Sequence, residues 1–583
     1  MVKSVVNKQL LPMKAHYFLW NAGTGPVVPF LSSYARQLGF SSVVVGFVYT
    51  ILPISGMLAK PFFGSIADRF HCQKILFLIA QLLTAVAFLS IFYAPKIDVD
   101  RRVHFACHEN LAVFDTNSTD SVNDCSMPQL RKDKTMDKCE MNCDMKENIT
   151  DILCKDWKLS QFCQADHPDT FSFTANVPKS EIDLLGSKLI FRVPNVTLPD
   201  GRVLQPGCPI SRSISTSCQV NCGDYDMNDL IAVTEIKDSV VYSLHHFWIF
   251  LFLMVLAWIG QAVSVSIGDA ICFELLGDRP DKYGYQRMFG SLGWGIVSAV
   301  AGLLIDALSS GKSQKDYTVA FYLSAIFLVL DFLASTRIQY TQTKLATNIF
   351  RDIGRLLLNI RINIYLIWCV CVGMCTGLIW QFLFWLIEDL AKIQGCETIN
   401  YVKTLEGIVQ AIQCLAGEAP FFFLSGKIIK KLGHIHTMSL VLFAVGMRFI
   451  LYSVVSNPWY FLPIELMNGI TFGLFFACMA SYASIIAPAG TEATMQGLVG
   501  AVFEGVGVSL GSLLAGWTYK NLGGPLTFRY FGYGAFVACV LHVAVQYLLS
   551  LKASPVKFAI ASEDKDLETA PLIQTTQTSN YTL

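Results

Sequence analysis

The chain has 583 residues, of which 53% are hydrophobic and 15% are charged, whereas an ordinary soluble domain is about 25% charged. Its 44 basic and 44 acidic residues balance to a formal net charge of zero. The low charge excludes a soluble globular protein. The lack of a basic excess excludes nucleic acid as a partner.

Apolar runs long enough to cross a hydrocarbon layer of ~30 Å recur along the chain. Gly23, Gly25 and Pro26 leave open whether the first of them is split. Twelve transmembrane spans are expected, with eleven or thirteen as alternatives, in an integral, multi-pass, all-α membrane protein. The spans lie near 14–35, 41–63, 73–94, 244–276, 281–308, 317–338, 360–390, 402–428, 436–455, 459–486, 496–519 and 526–551.

These spans divide the chain into two six-helix halves interrupted by a polar insert. Residues 1–95 hold the first three spans, 96–243 the insert, and 244–338 spans four to six. A central linker covers 339–359, spans seven to twelve occupy 360–551, and a polar tail covers 552–583.

Basic residues in the short connections predict the orientation, because such residues are retained on the cytosolic side. Lys8 and Lys14 precede span one, and Lys74 and Lys427 lie in or beside connections after even-numbered spans. Both termini and the central linker are therefore expected in the cytosol, and the insert is expected outside. The plasma membrane and endosomal or lysosomal membranes are the candidate locations.

The insert has the features of a glycosylated extracellular or lumenal loop. Sequons begin at Asn117, Asn148 and Asn195. Nine of the 18 cysteines lie in the insert, and an oxidising compartment favours a disulfide framework over a metal site. Because nine is odd, Cys396 is expected to supply the tenth, for five bridges.

Gly64-Ser-Ile-Ala-Asp68-Arg69-Phe-His71-Cys-Gln-Lys, after span two, resembles the signature loop of the major facilitator superfamily. The resemblance implies two six-helix halves and a gating role for Gly64, Asp68 and Arg69. The alternative is a basic cytosolic loop with no further role. The long insert and several short stretches also resemble an animal branch of this superfamily.

Arg287-Met-Phe-Gly-Ser-Leu-Gly-Trp294 is similar to a segment of the lactose-permease type of oligosaccharide:proton symporter. That similarity implies that Arg287 and Trp294 contact a sugar-like substrate, with Asp269, which stands 18 residues before Arg287, as a carboxylate ligand. When the chain is aligned with the same permease, Glu418 stands at the position of an acidic residue that binds the sugar. Arg448 stands at the position of an arginine that takes part in proton coupling.

The alignment does not supply the coupling acid. The matching positions are Asn468 and Thr471, neither of which titrates. Glu465 and Glu504 are nearby alternatives, and Arg448 is expected to pair with one of them, either as a proton-coupling pair or as an unchanging salt bridge. Asp331 is set aside because it is expected near the cytosolic end of span six.

The cost of burying charge supports a site independently of the resemblance. An ionisable group near the bilayer centre costs at least ~2.5–3.5 kcal/mol, so it generally faces a partner or an aqueous cavity. Asp269 and Arg287 on adjacent spans can form a charge-assisted pair that accepts and donates hydrogen bonds to a polyol, with Trp294 stacking on a ring. The alternative is an ion pair that only fixes helix packing.

The expected function is secondary active or facilitative transport of a small polar solute, sugar-like or nucleoside-like, with a proton as the candidate coupling ion. The alternative is a receptor or adhesion protein that binds an extracellular protein through the insert. No constellation for an enzyme, cofactor or metal is found in the sequence. Glu568, Leu572 and Ile573 form an acidic dileucine pattern, which predicts a cytosolic sorting adaptor as a partner.

Overall fold

The computed structural model describes residues 10–552 except for 95–100, 109–110, 118–134, 146, 164–168, 186–187, 209–213, 225–226, 229–230, 232–235, 277–282, 311, 313, 340–357, 359 and 487–491. Within these residues the protein is mostly helical, and eleven helices are long and apolar enough to cross a membrane. A twelfth apolar segment, at the start of the chain, is divided into two shorter helices, which is the split that the sequence left open.

The first six spans take these bounds. Span 1 consists of Leu11–Thr24 and Leu31–Gln37, span 2 is Ser42–Arg69, span 3 is Gln73–Tyr93, span 4 is His245–Leu276, span 5 is Tyr283–Leu308 and span 6 is Thr318–Thr336. The second half follows with span 7 at Ile360–Gln394, the short helix Cys396–Asn400, span 8 at Val402–Leu432, span 9 at His434–Val454, span 10 at Phe461–Ile486, span 11 at Glu492–Leu522 and span 12 at Gly524–Lys552.

Three spans of the second half contain π-helical segments. These are Ile412–Glu418 in span 8, Gly469–Leu474 in span 10 and Ala501–Val508 in span 11. A π segment changes the direction of the side chains around it and is frequent at functional sites. Here the three segments carry Glu418, Thr471 and Glu504, all of which make the polar contacts described below.

The insert folds around a nine-stranded antiparallel sheet, which the all-α expectation did not include. The strand order is β5-β6-β2-β1-β9-β3-β4-β7-β8. The strands are β1 Arg102–His108, β2 Leu111–Asn117, β3 Met136–Asp144, β4 Thr170–Pro178, β5 Ile182–Leu185, β6 Lys188–Arg192, β7 Asn195–Thr197, β8 Val203–Leu204 and β9 Ile214–Cys222. Buried and exposed residues alternate along β3 and β4, which leaves one face solvated and one packed.

The packed face has its own hydrophobic core, separate from that of the spans. Phe105, Trp157, Phe171 and Phe173 lie in this core, which the helix Glu147–Lys155 helps to cover. The insert builds this core although its average composition is polar. Alternation explains the difference, because apolar residues at every second position are diluted by polar ones in any average of hydropathy.

Disulfides stabilise the insert, as the cysteine count predicted, and two of them join β3 to β9. The bonds are Cys139–Cys222, Cys143–Cys218 and Cys154–Cys163. Cys208 and Cys396 are also disulfide-bonded. Asp137 lies beside Cys139 and Cys222, but a disulfide leaves no thiolate to bind a metal ion.

The two halves touch closely at the end of the bundle that carries the insert, called the insert side below. A Cβ at Gly302 on span 5 would lie 2.1 Å from the carbonyl oxygen of Lys403 on span 8, and a Cβ at Gly516 on span 11 would lie 2.4 Å from that of Ser42 on span 2. At the opposite end a Cβ at Gly64 or Gly497 would meet open space. The interface is therefore closed at the insert side.

The turns after span 2 and span 8 each contain a residue with positive φ. His71 adopts φ +51°, and Gly433, at the corresponding turn of the second half, adopts φ +80°. Glycine enters this left-handed region without steric cost, whereas another residue is strained there by ~1–2 kcal/mol. The second half therefore makes its turn with a residue that tolerates positive φ, whereas the first half makes it with a strained histidine.

Candidate solute site between the two halves

Asp269 and Arg287 meet inside the first half, as the sequence predicted. Arg287 Nη1 lies 3.2 Å from Asp269 Oδ1, and the hydroxyl of Tyr17 on span 1 donates to the same oxygen at 2.7 Å. The guanidinium also lies over the Tyr17 ring, 5.7 Å from its centroid. The two ionic side chains remain 33% and 27% exposed, so the pair is not sealed by its neighbours.

Glu418 extends this site into the second half. It accepts hydrogen bonds from Ser291 on span 5 at 3.3 Å and from Asn468 on span 10 at 3.1 Å. It is also in electrostatic contact with both Arg287 and Arg448. A carboxylate on span 8 therefore interacts with a cation of each half.

Trp294 faces the second half as well. Its indole Nε1 donates to Gln410 Oε1 on span 8 at 3.1 Å. All four residues predicted to contact substrate thus lie beside the interface between the halves, and Trp294 reaches it through a partner that the sequence did not suggest.

Lys60 on span 2 forms an ion pair that the sequence did not predict. Its ammonium lies 2.8 Å from Glu504 Oε2 on span 11, and the two side chains are 29% and 45% exposed. Glu504 also interacts electrostatically with Arg287. A lysine next to Pro61 within an apolar run was the available sequence signal, but its partner is 444 residues away.

Arg448 pairs with Glu465 and not with Glu504. The exposed fractions of the two side chains are 1% and 0%. Arg448 also donates to Asn468 at 2.8 Å and Thr471 at 2.7 Å, and Glu465 accepts from Gln413 at 2.7 Å. This sealed and well-satisfied network has the geometry of the unchanging salt bridge that the sequence left open.

A second cluster of charges, the insert-side cluster, closes the interface between the halves. Arg36 at the end of span 1 donates to Glu388 at 3.2 Å and to Asp389 at 2.6 Å, both at the end of span 7. Lys403 bonds Glu388 and Glu406, and it is 2% exposed. Charges at span ends predict only the membrane orientation from the sequence, so this cluster was not expected.

The first half also caps a helix of the second. Asp306 on span 5 accepts from the backbone N–H of Thr404 at 2.6 Å and from its hydroxyl at 2.8 Å, near the start of span 8. A carboxylate at a helix N-terminus satisfies free N–H groups and complements the helix dipole. Lys315 bonds the other Asp306 oxygen at 2.6 Å.

The remaining predicted residues lie apart from this site. Gly64 and Asp68 fall within span 2, and Arg69, its last residue, lies over the Phe70 ring at 5.9 Å. Of the sequons, Asn117 ends β2, Asn148 is in the helix Glu147–Lys155, and Asn195 begins β7. The sorting signal at Glu568, Leu572 and Ile573 lies outside the described residues.

The fold and the polar interface define a major facilitator type of membrane protein. A family model described as the MFS_1 like family matches residues 10–530. The chain therefore belongs to this family of the major facilitator superfamily, as the signature loop indicated.

Relatives of similar length are found in animals. The chain is 22% identical to major facilitator superfamily domain-containing protein 6-like protein B of Xenopus laevis, covering 88% of this chain and 86% of that protein. The major facilitator superfamily domain-containing protein 6-like of Danio rerio is also 22% identical, and the match covers 88% of this chain and 83% of that protein. The maltose permease of Geobacillus stearothermophilus is 24% identical over 48% of this chain and 68% of its own length.

Solved transporters share the fold. The nucleoside transporter NupG superposes with a TM-score of 0.58 at 13% identity, covering 92% of this chain and 98% of that one. A D-xylose-proton symporter superposes with a TM-score of 0.52 at 12% identity, covering 91% and 96%. At these identities the likeness concerns the fold and not the substrate.

Proposed function

We propose that the protein is a secondary active or facilitative transporter that carries a small polar solute by alternating access. Sugar-like or nucleoside-like compounds are the favoured class, because paired carboxylate and guanidinium groups beside an indole suit hydroxyl-rich rings. The insert then faces the extracellular or lumenal side, and both termini lie in the cytosol.

One observation carries the proposal. Part-exposed polar groups from spans 2, 4, 5, 8 and 11 lie beside an interface between the halves that is closed at the insert side. Asp269, Arg287 and Lys60 belong to the first half, and Glu418 and Glu504 belong to the second. Rocking the halves about such a site exposes it to each side of the membrane in turn.

Uptake of labelled sugars and nucleosides into proteoliposomes tests this function. We expect Arg287→Ala to abolish uptake of the solute that the unaltered protein carries, because it removes the guanidinium and leaves Asp269 without its cation. Arg337→Ala is the matched control, since Arg337 is exposed beyond the end of span 6. Equal uptake by both variants would contradict the assignment of the site.

The folded insert favours receptor function as a second candidate. A disulfide-linked sheet with its own core can bind an extracellular partner without movement of the spans. Deleting residues 100–240 separates the two functions. Transport that survives the deletion supports the carrier, whereas loss of cell-surface binding in a protein that carries none of the tested solutes supports the receptor.

A further inference from the structure

The first half contains a buried acid–imidazole pair that the solute site does not use. His16 Nδ1 on span 1 lies 2.8 Å from Asp331 Oδ1 on span 6, and the two side chains are 2% and 0% exposed. Gln81 on span 3 contacts the same ring nitrogen at 3.2 Å and donates to Ser335 at 2.9 Å. The other Asp331 oxygen is buried without a hydrogen-bond partner among the described residues.

Electroneutrality requires this pair to hold one proton. A neutral imidazole beside an ionised carboxylate would leave one unpaired negative charge in a dry interior, which is very costly. The pair becomes neutral when it holds one proton more than the single ring proton of a neutral imidazole, as imidazolium with carboxylate or as imidazole with carboxylic acid. The network of Arg448 and Glu465 differs, because an arginine is permanently charged and its partner stays ionised without any proton.

Few other charges face the pair. Span 5 approaches through Arg287, which is neutralised by Asp269 of span 4, and span 3 contributes Lys74, whose ammonium is bound to the carbonyl oxygens of Thr336 and Ile338 at 3.0 and 2.8 Å. The titratable and charged groups around the pair on these elements include Lys14 and Tyr17 of span 1, Lys74 of span 3, Asp269 and Cys272 of span 4, and Tyr283 and Arg287 of span 5.

The pair is connected to the solute site through neighbouring residues on two helices. His16 precedes Tyr17, which donates to Asp269, and Gly268 precedes Asp269. The His16 ring lies against span 4 so closely that a Cβ at Gly268 would be 3.2 Å from Nε2. A displacement of span 1 against span 4 therefore changes the contacts of both His16 and Asp269.

We propose that His16 and Asp331 form a proton-binding site of this protein, separate from the solute site and coupled to it through spans 1 and 4. The coupling rests on the proposed transport function, whereas the bound proton does not. In the state described here the proton is held away from water. It exchanges when spans 1 and 6 move apart within the first half and admit water to the pair.

The bound proton is tested first, without any solute. Protein in lipid nanodiscs at pH 8 is examined by infrared spectroscopy for a carboxylic-acid C=O band and by ¹⁵N-histidine NMR for an imidazolium signal. We expect one of the two. Asp331→Asn should remove it, whereas His16→Gln should leave only a carboxylic-acid band, because a buried Asp331 without the imidazole takes up the proton itself. His436→Gln, at an exposed position, should leave it unchanged. A neutral imidazole together with an ionised carboxylate at pH 8 would overturn the proposal.

Coupling is tested by pH-gradient-driven uptake of labelled sugars and nucleosides into proteoliposomes. We expect accumulation by His16→Gln and Asp331→Asn to fall to the level reached without a gradient, while His436→Gln accumulates solute like the unaltered protein. Accumulation by all three variants would refute the coupling. If no probe is carried, the proposed function fails, and the spectroscopic result still decides the proton site.

A double variant controls for the possibility that the single variants misfold. His16→Asp combined with Asp331→His exchanges the two groups and retains one shared proton. We expect it to restore both the spectroscopic signal and the accumulation. A folded double variant without a proton signal at pH 8 would also count against the site.

Discussion

At the residue scale, the ion pairs between spans differ mainly in burial. Arg448 and Glu465 are sealed in the second half, whereas Lys60 and Glu504 bridge the halves and keep 29% and 45% of their surface exposed. An exposed pair contributes about 0–1 kcal/mol, but removing one partner of a buried pair costs about 3–5 kcal/mol. We therefore expect the sealed pair to persist and the accessible pair to break during transport.

We expect Glu465→Gln to lower the melting temperature of the purified protein markedly, because it leaves the Arg448 guanidinium buried without a counter-charge, at a cost of about 3–5 kcal/mol. Glu504→Gln is the matched control and should cost no more than about 1 kcal/mol. Thermal unfolding in detergent, with both variants side by side, measures the difference. Similar losses from the two variants would show that burial does not separate the pairs.

At the scale of elements, small residues set how closely the helices of the two halves approach. Gly302 and Gly407 bring spans 5 and 8 into backbone contact at the insert side, with built Cβ positions 2.1 and 2.7 Å from carbonyl oxygens of the facing helix. Small residues allow this approach between helices in a membrane. The closed end of the interface thus depends on the absence of side chains there.

We expect Gly302→Ala to destabilise the closed insert side, because its Cβ would collide with the carbonyl group of Lys403. Gly497→Ala, on span 11 where a Cβ meets open space, should be neutral or stabilising by up to ~1 kcal/mol. Labelling of a cysteine introduced at Ser42 by a membrane-impermeant reagent reports opening. Faster labelling in Gly302→Ala alone supports the packing role, and equal rates in both variants contradict it.

At the scale of the whole molecule, the end of the insert connects the two halves. Asp238, in the short helix before span 4, accepts from Ser41 at the start of span 2 at 2.6 Å and pairs with Lys520 near the end of span 11. Burial raises the pKa of Asp238, but the hydrogen bonds from Lys520 and Ser41 outweigh it and hold that pKa below its ordinary value. The carboxylate is therefore more acidic in the folded protein.

A lowered pKa fixes the sign of the pH dependence. Stability from Asp238 is fully present above the pKa of the unfolded chain, about 3.9, and is lost as the pH falls through the lower folded value. We expect Asp238→Asn to melt below the unaltered protein at pH 7 and to approach it as the pH drops below 4. Melting curves from pH 3 to 8 measure this, with Asp144→Asn, at an exposed position on β3, as the control. A constant difference across the range would exclude the ionised carboxylate as the cause.

The candidate site could be predicted only in part from the sequence. Asp269 and Arg287 are 18 residues apart on consecutive spans, so their pairing followed from local topology. Lys60 and Glu504 are 444 residues apart, and His16 and Asp331 are 315 apart. Such partners depend on the rotation and tilt of each helix, which hydropathy does not encode. Asp331 was set aside for its expected place near a span end, although the tertiary packing buries it fully.

The sequence by itself determined the membrane class, the twelve apolar segments, the superfamily and the disulfide-bonded insert, because segment length, hydropathy, short motifs and cysteine count are local properties. Only the tertiary structure decided that the insert is a β-sheet with its own core, that Arg448 is sealed with Glu465, and that the halves close at the insert side. Each of these depends on which surfaces meet, and that is fixed by packing between residues far apart in the chain.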